Sequence, residues 1–410
     1  MNLETDALLV VFALLATGVS VGYLLFASSR VKAFGREMRS RAVADRAPGI
    51  TVLKPICGLD PELERNLLSF CDQDYPDYQV VFGTVDRCDP AIPIIERVIA
   101  SRPDRDLRLV VDERPAGANP KIANLTNMYR EVKHELIAIS DSDMHVGPDY
   151  LAAVAGAFEH GGVGGVTCLY SGRSVGGLPS ALGAMFINEW FLPSVLVARS
   201  VQGLGFCLGA TMAVRREALE SVGGFETLSA YLADDYMLGR LLTERGLEIR
   251  LAPYVVENVV QEPDYRSLWL HELRWARTIR SVRPRGFAFC FVTDTIPISL
   301  LSAGLLYWAS GSVMAALGVV AVAVAARLWL RRELRTELGL REPASVWLVP
   351  VRDCWTAGVR AASFLGHNVH WRHQQLVVSV GGEIDNKGAR RGNHRIGARD
   401  QAGHGDLKQT

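Results

Sequence analysis

The sequence lacks the patterns that would hold a fold together, or hold a metal, through sulfur. It has no C-x-x-C pair, and its seven cysteines, at 57, 71, 88, 168, 207, 290 and 354, are odd in number and scattered. A disulfide framework and a zinc cluster are excluded, and a reducing compartment fits. Net charge is missing too, since 44 Lys+Arg balance 44 Asp+Glu, and no basic stripe interleaved with aromatics runs through the chain. Nucleic acid is thereby excluded as a partner. Internal repeats are absent. What the chain has is apolar weight: 410 residues, 49% hydrophobic, mean hydropathy +0.13. That combination calls for one sizeable domain with membrane segments attached.

Residues 7–28 carry no charge, a run matching the ~20 residues a helix needs to cross a bilayer core. The acidic start, MNLETD, argues against a cleaved signal peptide. Arg30, Lys32, Arg36, Arg39 and Arg41 follow, so the positive-inside rule predicts an external N-terminus and a cytoplasmic domain after it. A second apolar region, about 287–330, breaks at Ser310-Gly311-Ser312 and reads as two spans. Arginines 280, 283 and 285 before it, and 327, 331, 332 and 335 after it, face both ends to the cytoplasm. Asp294 inside this region is either functional or snorkelling. The stretch 344–366 contains Arg352 and Asp353 and reads as interfacial or re-entrant. The expected organisation is an anchor at 1–29, a cytoplasmic domain at 45–285, a membrane region at 287–366 and a disordered polar tail at 381–410.

Within 45–285, short β-branched runs alternate with helical periodicity, which predicts an α/β domain with a mostly parallel sheet. Strands are predicted at 50–53, 78–85, 107–111, 136–140, 163–168, 209–214 and 247–251. Helices are predicted from Pro61 and at 91–101, 119–130, 148–158, 215–222, 232–245 and 267–280. In such sheets ligands sit beyond the carboxyl ends of the strands, and here those ends are acidic: Asp86, Asp112, and Asp141-Ser142-Asp143. Three D-x-D pairs occur, but Asp72/Asp74 and Asp104/Asp106 read as solvated turns. Only Asp141 and Asp143 follow a buried-looking strand, where paired carboxylates suit Mg²⁺ or Mn²⁺ bridging a diphosphate, or else cap the next helix. Asp234-Asp235 opens a helix, as an active pair or simple caps. His271-Glu272-Leu273-Arg274-Trp275 lies on a helix with Arg277 and Arg280, alternatively a basic face against anionic lipid.

Taken in order, these clusters resemble the nucleotide-sugar glycosyltransferases of GT-A fold, over residues 50–283. The resemblance is to the ceramide-glucosyltransferase-like family (family 21 / family 2 type), and within it to the bacterial hopanoid-biosynthesis branch. It is carried by Thr51-Val-Leu-Lys-Pro-Ile-Cys-Gly58, Phe70-Cys71 with Gln73-Asp-Tyr-Pro76, Asn119-Pro-Lys-Ile122 with Asn124-Leu125, and Ser140-Asp-Ser-Asp143. Further along come Val166-Thr-Cys-Leu-Tyr170, Ile187-Asn-Glu-Trp-Phe191, Gly223-Gly-Phe225, Ala233-Asp-Asp-Tyr236 and the His271–Trp275 cluster.

The resemblance implies that Asp86 meets the uracil and ribose of the donor, Lys121 reaches the nucleotide, and Asp141 and Asp143 hold the metal and diphosphate. It implies Asp235 as general base, with Arg274 and Trp275 near the leaving diphosphate and the acceptor; His271 stands where many relatives have Gln. Asp143 is present where eukaryotic ceramide glucosyltransferases typically lack the second acid, which favours the bacterial branch. The implied enzyme is a multi-pass protein of the bacterial inner (cytoplasmic) membrane. It moves N-acetylglucosamine from a UDP-sugar to a lipid hydroxyl, bacteriohopanetetrol, by metal-dependent inversion. Ceramide glucosyltransferase using UDP-glucose is the alternative, a processive polysaccharide synthase lies behind it, and a non-catalytic scaffold would be expected to have lost some of these acids. The donor sugar depends on a pocket near 166–170 and 205–211 whose shape the sequence does not fix.

Overall fold

The computed structural model describes residues 3–40, 47–115, 117–340, 345–366, 368–371, 374–378 and 381–385. Eight strands form one sheet: β1 Ile50–Pro55, β2 Tyr78–Thr84, β3 Asp106–Val111, β4 Leu136–Ser140, β5 Met144–His145, β6 Val163–Ser174, β7 Thr211–Arg215 and β8 Glu248–Val260. Their order is β3-β2-β1-β4-β7-β6-β8-β5. Strands β1 to β4 are parallel. Strand β7 runs against both β4 and β6 and β5 runs against β8, while β6 and β8 pair in parallel, so the sheet is mixed but mostly parallel, with β5 and β7 the reversed strands. Every residue of β1, β2 and β4 is buried, as expected of parallel strands covered on both faces. One core packs Leu67, Phe70, Ile95 and Tyr150 onto one face, and another packs Ile122, Met128, Leu219 and Leu238 onto the other.

Among the described residues, three helices are long and apolar enough to cross a membrane: Ala7–Arg39, Leu178–Gln202 and Val313–Leu338. The pair Pro284–Thr293 and Thr295–Ser310 passes the same test only jointly, bent by 61°. This set differs from the expected one. The segment 178–202 was not read as a helix at all, and Asp294 marks the bend rather than lying within a straight span. Helix Leu178–Gln202 is broken by a π-turn at Ile187–Phe191, which turns Glu189 toward Arg327 and Arg331 (3.1 and 2.9 Å). A buried carboxylate there is tolerable because two guanidinium groups compensate it. Asp294 is explained the same way: it is not snorkelling but paired with Arg360 at 3.1 Å. The N-terminal helix Leu3–Arg39 packs against helices Thr295–Ser310 and Val313–Leu338, and meets the first through small polar contacts, Thr17 to Ser302 (2.8 Å) and Ser20 to Thr295 (2.7 Å). Such residues let helices approach closely where hydrophobicity gives no preference between protein and lipid.

The stretch expected to be interfacial forms helix Leu348–Ser363, with Asp353 bound to Arg327 (3.0 Å) and Arg352 to Glu272 (2.7 Å). A small antiparallel sheet of Asn368–Trp371, Gln374–Val378 and Ile384–Asp385 follows. The polar tail expected from Gly381 therefore starts structured, with Ile384 N–H donating to Ala230 O and Leu232 N–H to Gly382 O. The rest of that tail, 386–410, lies outside the described residues.

Candidate active site

The carboxyl end of β4 delivers Asp141 and Asp143, whereas Asp72 is tied to surface Arg102 (2.6 Å) and Asp104 is exposed. Asn258 of β8 donates to Asp143 Oδ2 (2.9 Å), while buried Oδ1 has no hydrogen-bond partner among the described residues. Burial, followed by Asp141 and Asp60, pushes the Asp143 carboxyl well above the usual carboxylate range. An orphaned buried oxygen in a crowd of acids is where a cation relieves both desolvation and repulsion. No group of three or more His, Cys, Asp or Glu side chains is arranged to hold a metal among the described residues. Asp141 and Asp143 alone could hold a hard ion that keeps most of its waters and shares a diphosphate, as Mg²⁺ or Mn²⁺ does.

Beneath this loop lies Lys54, to which sequence reasoning gave no role. It is fully buried, its Nζ 3.8 Å over the Phe70 ring and donating to Asp141 O. Burial lowers its pKa to about 7 against the pull of Asp143 and Asp141. The signal was available, since a lysine in an otherwise apolar strand needs an acidic partner.

Asn119-Pro120-Lys121 has a clear local logic. The Asn119 side chain caps the helix Pro120–Met128 by accepting from Lys121 N–H (3.0 Å) and Ile122 N–H (3.2 Å), and proline occupies the first helical turn. The cap aims Lys121 inward, where Nζ lies 2.7 Å from Asp141 Oδ1 and 3.8 Å from Asp234 Oδ2. Burial opposes the ammonium charge, but Asp141 and Asp234 outweigh it and hold the pKa above its ordinary value. Lys121 thus joins the strand-end acids to the helix Asp234–Glu244.

That helix separates its two acids. Asp234 is buried and takes the Asn119 amide (3.5 Å) as well as Lys121. Asp235, half-buried, accepts from Tyr236 N–H (2.8 Å) and faces Gly209, where an added Cβ would lie 3.0 Å from Oδ2. The helix dipole was expected to pull the Asp235 pKa down. Instead, burial and then Asp234 raise it to about 6, the dipole being outweighed by desolvation next to a second carboxylate. Tyr170 of β6 is a further residue the roles did not include. Burial pushes its phenol up, as do Asp235, Asp143 and Asp141, while Arg274 opposes them.

Helix Tyr265–Val282 carries the remaining candidates. His271 Nδ1 lies 2.7 Å from Glu262 Oε1, and its ring packs edge-on against Trp275 at 4.3 Å. On the same helix Arg277 and Arg280 donate to the carbonyls of Leu365 (2.8 Å) and Gly366 (2.6 Å), tying it to the chain just after helix Leu348–Ser363. Asp86 stands apart and exposed at the end of β2, its carboxylate closing a local turn on Cys88 N–H (2.8 Å). Neighbouring Asp89 is the buried one, accepting from Gly58 N–H and Ala91 N–H (both 2.9 Å) to fix the loop after β1.

The model of glycosyl transferase family 21 matches residues 10–384. The chain belongs to that family. Similar proteins include ceramide glucosyltransferase 1 of Caenorhabditis elegans, 24% identical over 82% of this chain and 73% of the relative. The ceramide glucosyltransferase of Komagataella phaffii is 35% identical over 25% of this chain and 21% of its own length. Among solved structures, a mannosyltransferase from Pyrobaculum calidifontis, in complex with GDP-Man and Mn²⁺, covers 87% of this chain and 99% of its own with a TM-score of 0.50 and 20% identity. That likeness supports the GT-A fold expected from the sequence.

Proposed function

We propose that this family 21 member transfers a sugar from a UDP-sugar to the hydroxyl of a membrane lipid, with inversion at the anomeric carbon. The observation that carries it is Lys121, which links Asp141 at the D-x-D to Asp234 beside Asp235. In this reading Asp235 takes the proton of the acceptor hydroxyl as its oxygen attacks the anomeric carbon. The bond from that carbon to the diphosphate breaks, and UDP leaves with the electron pair. Arg274 and His271 flank the leaving group, and Trp275 lines the acceptor side. Asp86 contacts the nucleoside, and Lys121 holds the D-x-D loop in register. A divalent ion on Asp141 and Asp143 would supply charge neutralisation at the leaving diphosphate. With one candidate base and no second nucleophile, a single displacement is the simplest course.

The relatives' names favour glucosyl transfer to a ceramide-like lipid over the expected N-acetylglucosaminyl transfer to bacteriohopanetetrol. Purified full-length protein should therefore release UDP from UDP-glucose in the presence of ceramide and form a glucosylated lipid detectable by mass spectrometry. Product only from UDP-N-acetylglucosamine and bacteriohopanetetrol would return the finer reading to the hopanoid branch. No UDP release under any metal condition would leave a scaffold.

A further inference from the structure

The helix Asp234–Glu244 starts without the side-chain cap that fixes many helix beginnings, because its N-cap is Ala233, which offers no acceptor. Where Asp235 stands is therefore decided by the chain that leads into it, residues 229–232. Both edges of that stretch are engaged. On one edge Ser229 O accepts from Ala118 N–H (3.1 Å) and Asn119 N–H (3.0 Å), and Tyr231 O takes the Asn119 amide (2.8 Å). That edge belongs to the loop that presents Lys121.

The other edge is held by residues from the far end of the chain. Ile384 N–H donates to Ala230 O (2.8 Å), Leu232 N–H donates to Gly382 O (3.1 Å), and Tyr231 pairs with Glu383 between them. Leu232, Val369 and Ile384 bury one another against Ala118. The same terminal segment is fastened to the helix Tyr265–Val282, which carries His271, Arg274 and Trp275. Gly381 N–H donates to Ser281 O (3.1 Å). The approach there is close, since Gly382 has φ +86° and a Cβ on it would stand 2.8 Å from Val282 Cγ1. The two helices also meet directly, Arg283 Nε reaching Tyr236 OH, but at 3.4 Å that contact is long.

We propose that residues 381–385 are a positioning strap, which clamps residues 230–232 and so fixes the Asp235 carboxylate relative to the helix of Arg274. Two ladder bonds add little to the stability of a whole protein, but they set a register, and a displacement of about 1 Å in a catalytic group can cost on the order of 10²-fold in rate. The strap residues do no chemistry themselves. They act through Asp235, so the proposal rests on the reading of Asp235 as the base.

In full-length protein, Ile384→Pro removes the N–H that Ala230 accepts, and Ile384→Val keeps it. With UDP-glucose and ceramide, the proline variant should lose about tenfold to a hundredfold in kcat, with KM for UDP-glucose within about twofold of wild type. The valine variant should match wild type. The deciding measurement is Ile384→Pro combined with Asp235→Asn, where the positioned group is gone and the proline should cost nothing further. Losses that multiply would mean a general loosening and overturn the proposal, as would wild-type kcat in Ile384→Pro. Substantial turnover in Asp235→Asn alone would remove the base assignment itself, and the strap's role with it.

A cysteine pair, Tyr231→Cys with Glu383→Cys, covers a proline variant that does not fold, in a background with Cys57, Cys88, Cys290 and Cys354 replaced by Ser. Residues 231 and 383 face each other between two ladder bonds. Such a pair has its Cα atoms about 4.5 Å apart, within the span of a disulfide. The oxidised, locked protein should turn over at least as fast as its reduced form. A locked form that is dead and revived by reduction would mean that the segment has to leave, and a pair that never cross-links would mean that it is not docked; either result overturns the strap.

Discussion

Asp234 and Asp235 are adjacent in sequence but meet different surroundings, because consecutive helical residues point about 100° apart. Asp234 is held by Asn119 and Lys121, whereas the Asp235 carboxylate bonds the N–H of Tyr236 and stays half-buried beside Gly209. Asp235→Asn should lower turnover by ~10²–10⁴-fold with UDP-sugar affinity nearly unchanged, and Asp234→Asn should cost less. A dead Asp234→Asn beside an active Asp235→Asn would reverse the assignment. The pH profile is an independent check. A base works ionised, and the pKa of Asp235 is raised to about 6, so the active form is lost as pH falls through that value. Below it the rate should drop about tenfold per unit, and the same limb should be missing from the residual activity of Asp235→Asn. The metal pair makes a parallel case. Asp143→Ala and EDTA should each abolish transfer with folding intact. Asp72→Ala and Asp104→Ala, which alter surface groups, should sit near wild type; full turnover in EDTA would remove the metal assignment.

Helix Tyr265–Val282 is positioned by a contact that sequence reading passed over. Glu272 was noted only as a member of its cluster, yet it is buried against Arg352, 80 residues later. Removing one partner leaves an uncompensated buried charge, which costs about 3–5 kcal/mol, whereas removing both is often nearly neutral. Arg352→Met should therefore destabilise the protein strongly in denaturant or thermal unfolding. Glu272→Leu combined with Arg352→Met should recover most of that loss; a double variant no better than the single would mean packing, not charge, sets the cost. What the sequence made legible follows from the same physics. Strands β1, β2 and β4 were readable because wholly buried strands are continuous apolar runs, and Asp141 and Asp143 because they end one. Helix Leu178–Gln202 was not readable, since its apolar residues lie all round and Pro179, Gly183 and Pro193 imitate loop signals. The partners of Glu189, Glu272 and Asp294 lie far along the chain, where no local period reaches.

At the scale of the whole molecule, the open question is which side of the membrane carries the sheet. The sequence asymmetry is strong: basic residues follow the N-terminal helix and flank the region from 287 to 330. The structure uses part of that charge internally. Arg39 pairs with Glu337 (2.8 Å), Arg327 and Arg331 with Glu189, and Arg360 with Asp294. Paired side chains, Lys32 with Glu333 (3.4 Å) among them, are less available to anionic headgroups, but Arg30 and Arg36 also lie at the domain end of the first helix, and the rule counts Lys and Arg near span ends rather than net charge. The domain from 45 to 285 should therefore be cytoplasmic. The protein carries its own probes, because Cys57 and Cys88 are exposed on this domain while Cys71, Cys168 and Cys207 are buried. With Cys57, Cys290 and Cys354 replaced by Ser, Cys88 is the accessible thiol that remains. A membrane-impermeant maleimide should leave Cys88 unmodified in intact cells and label it after permeabilisation. Labelling in intact cells would place the sheet outside, and a donor confined to the cytoplasm would then be out of its reach.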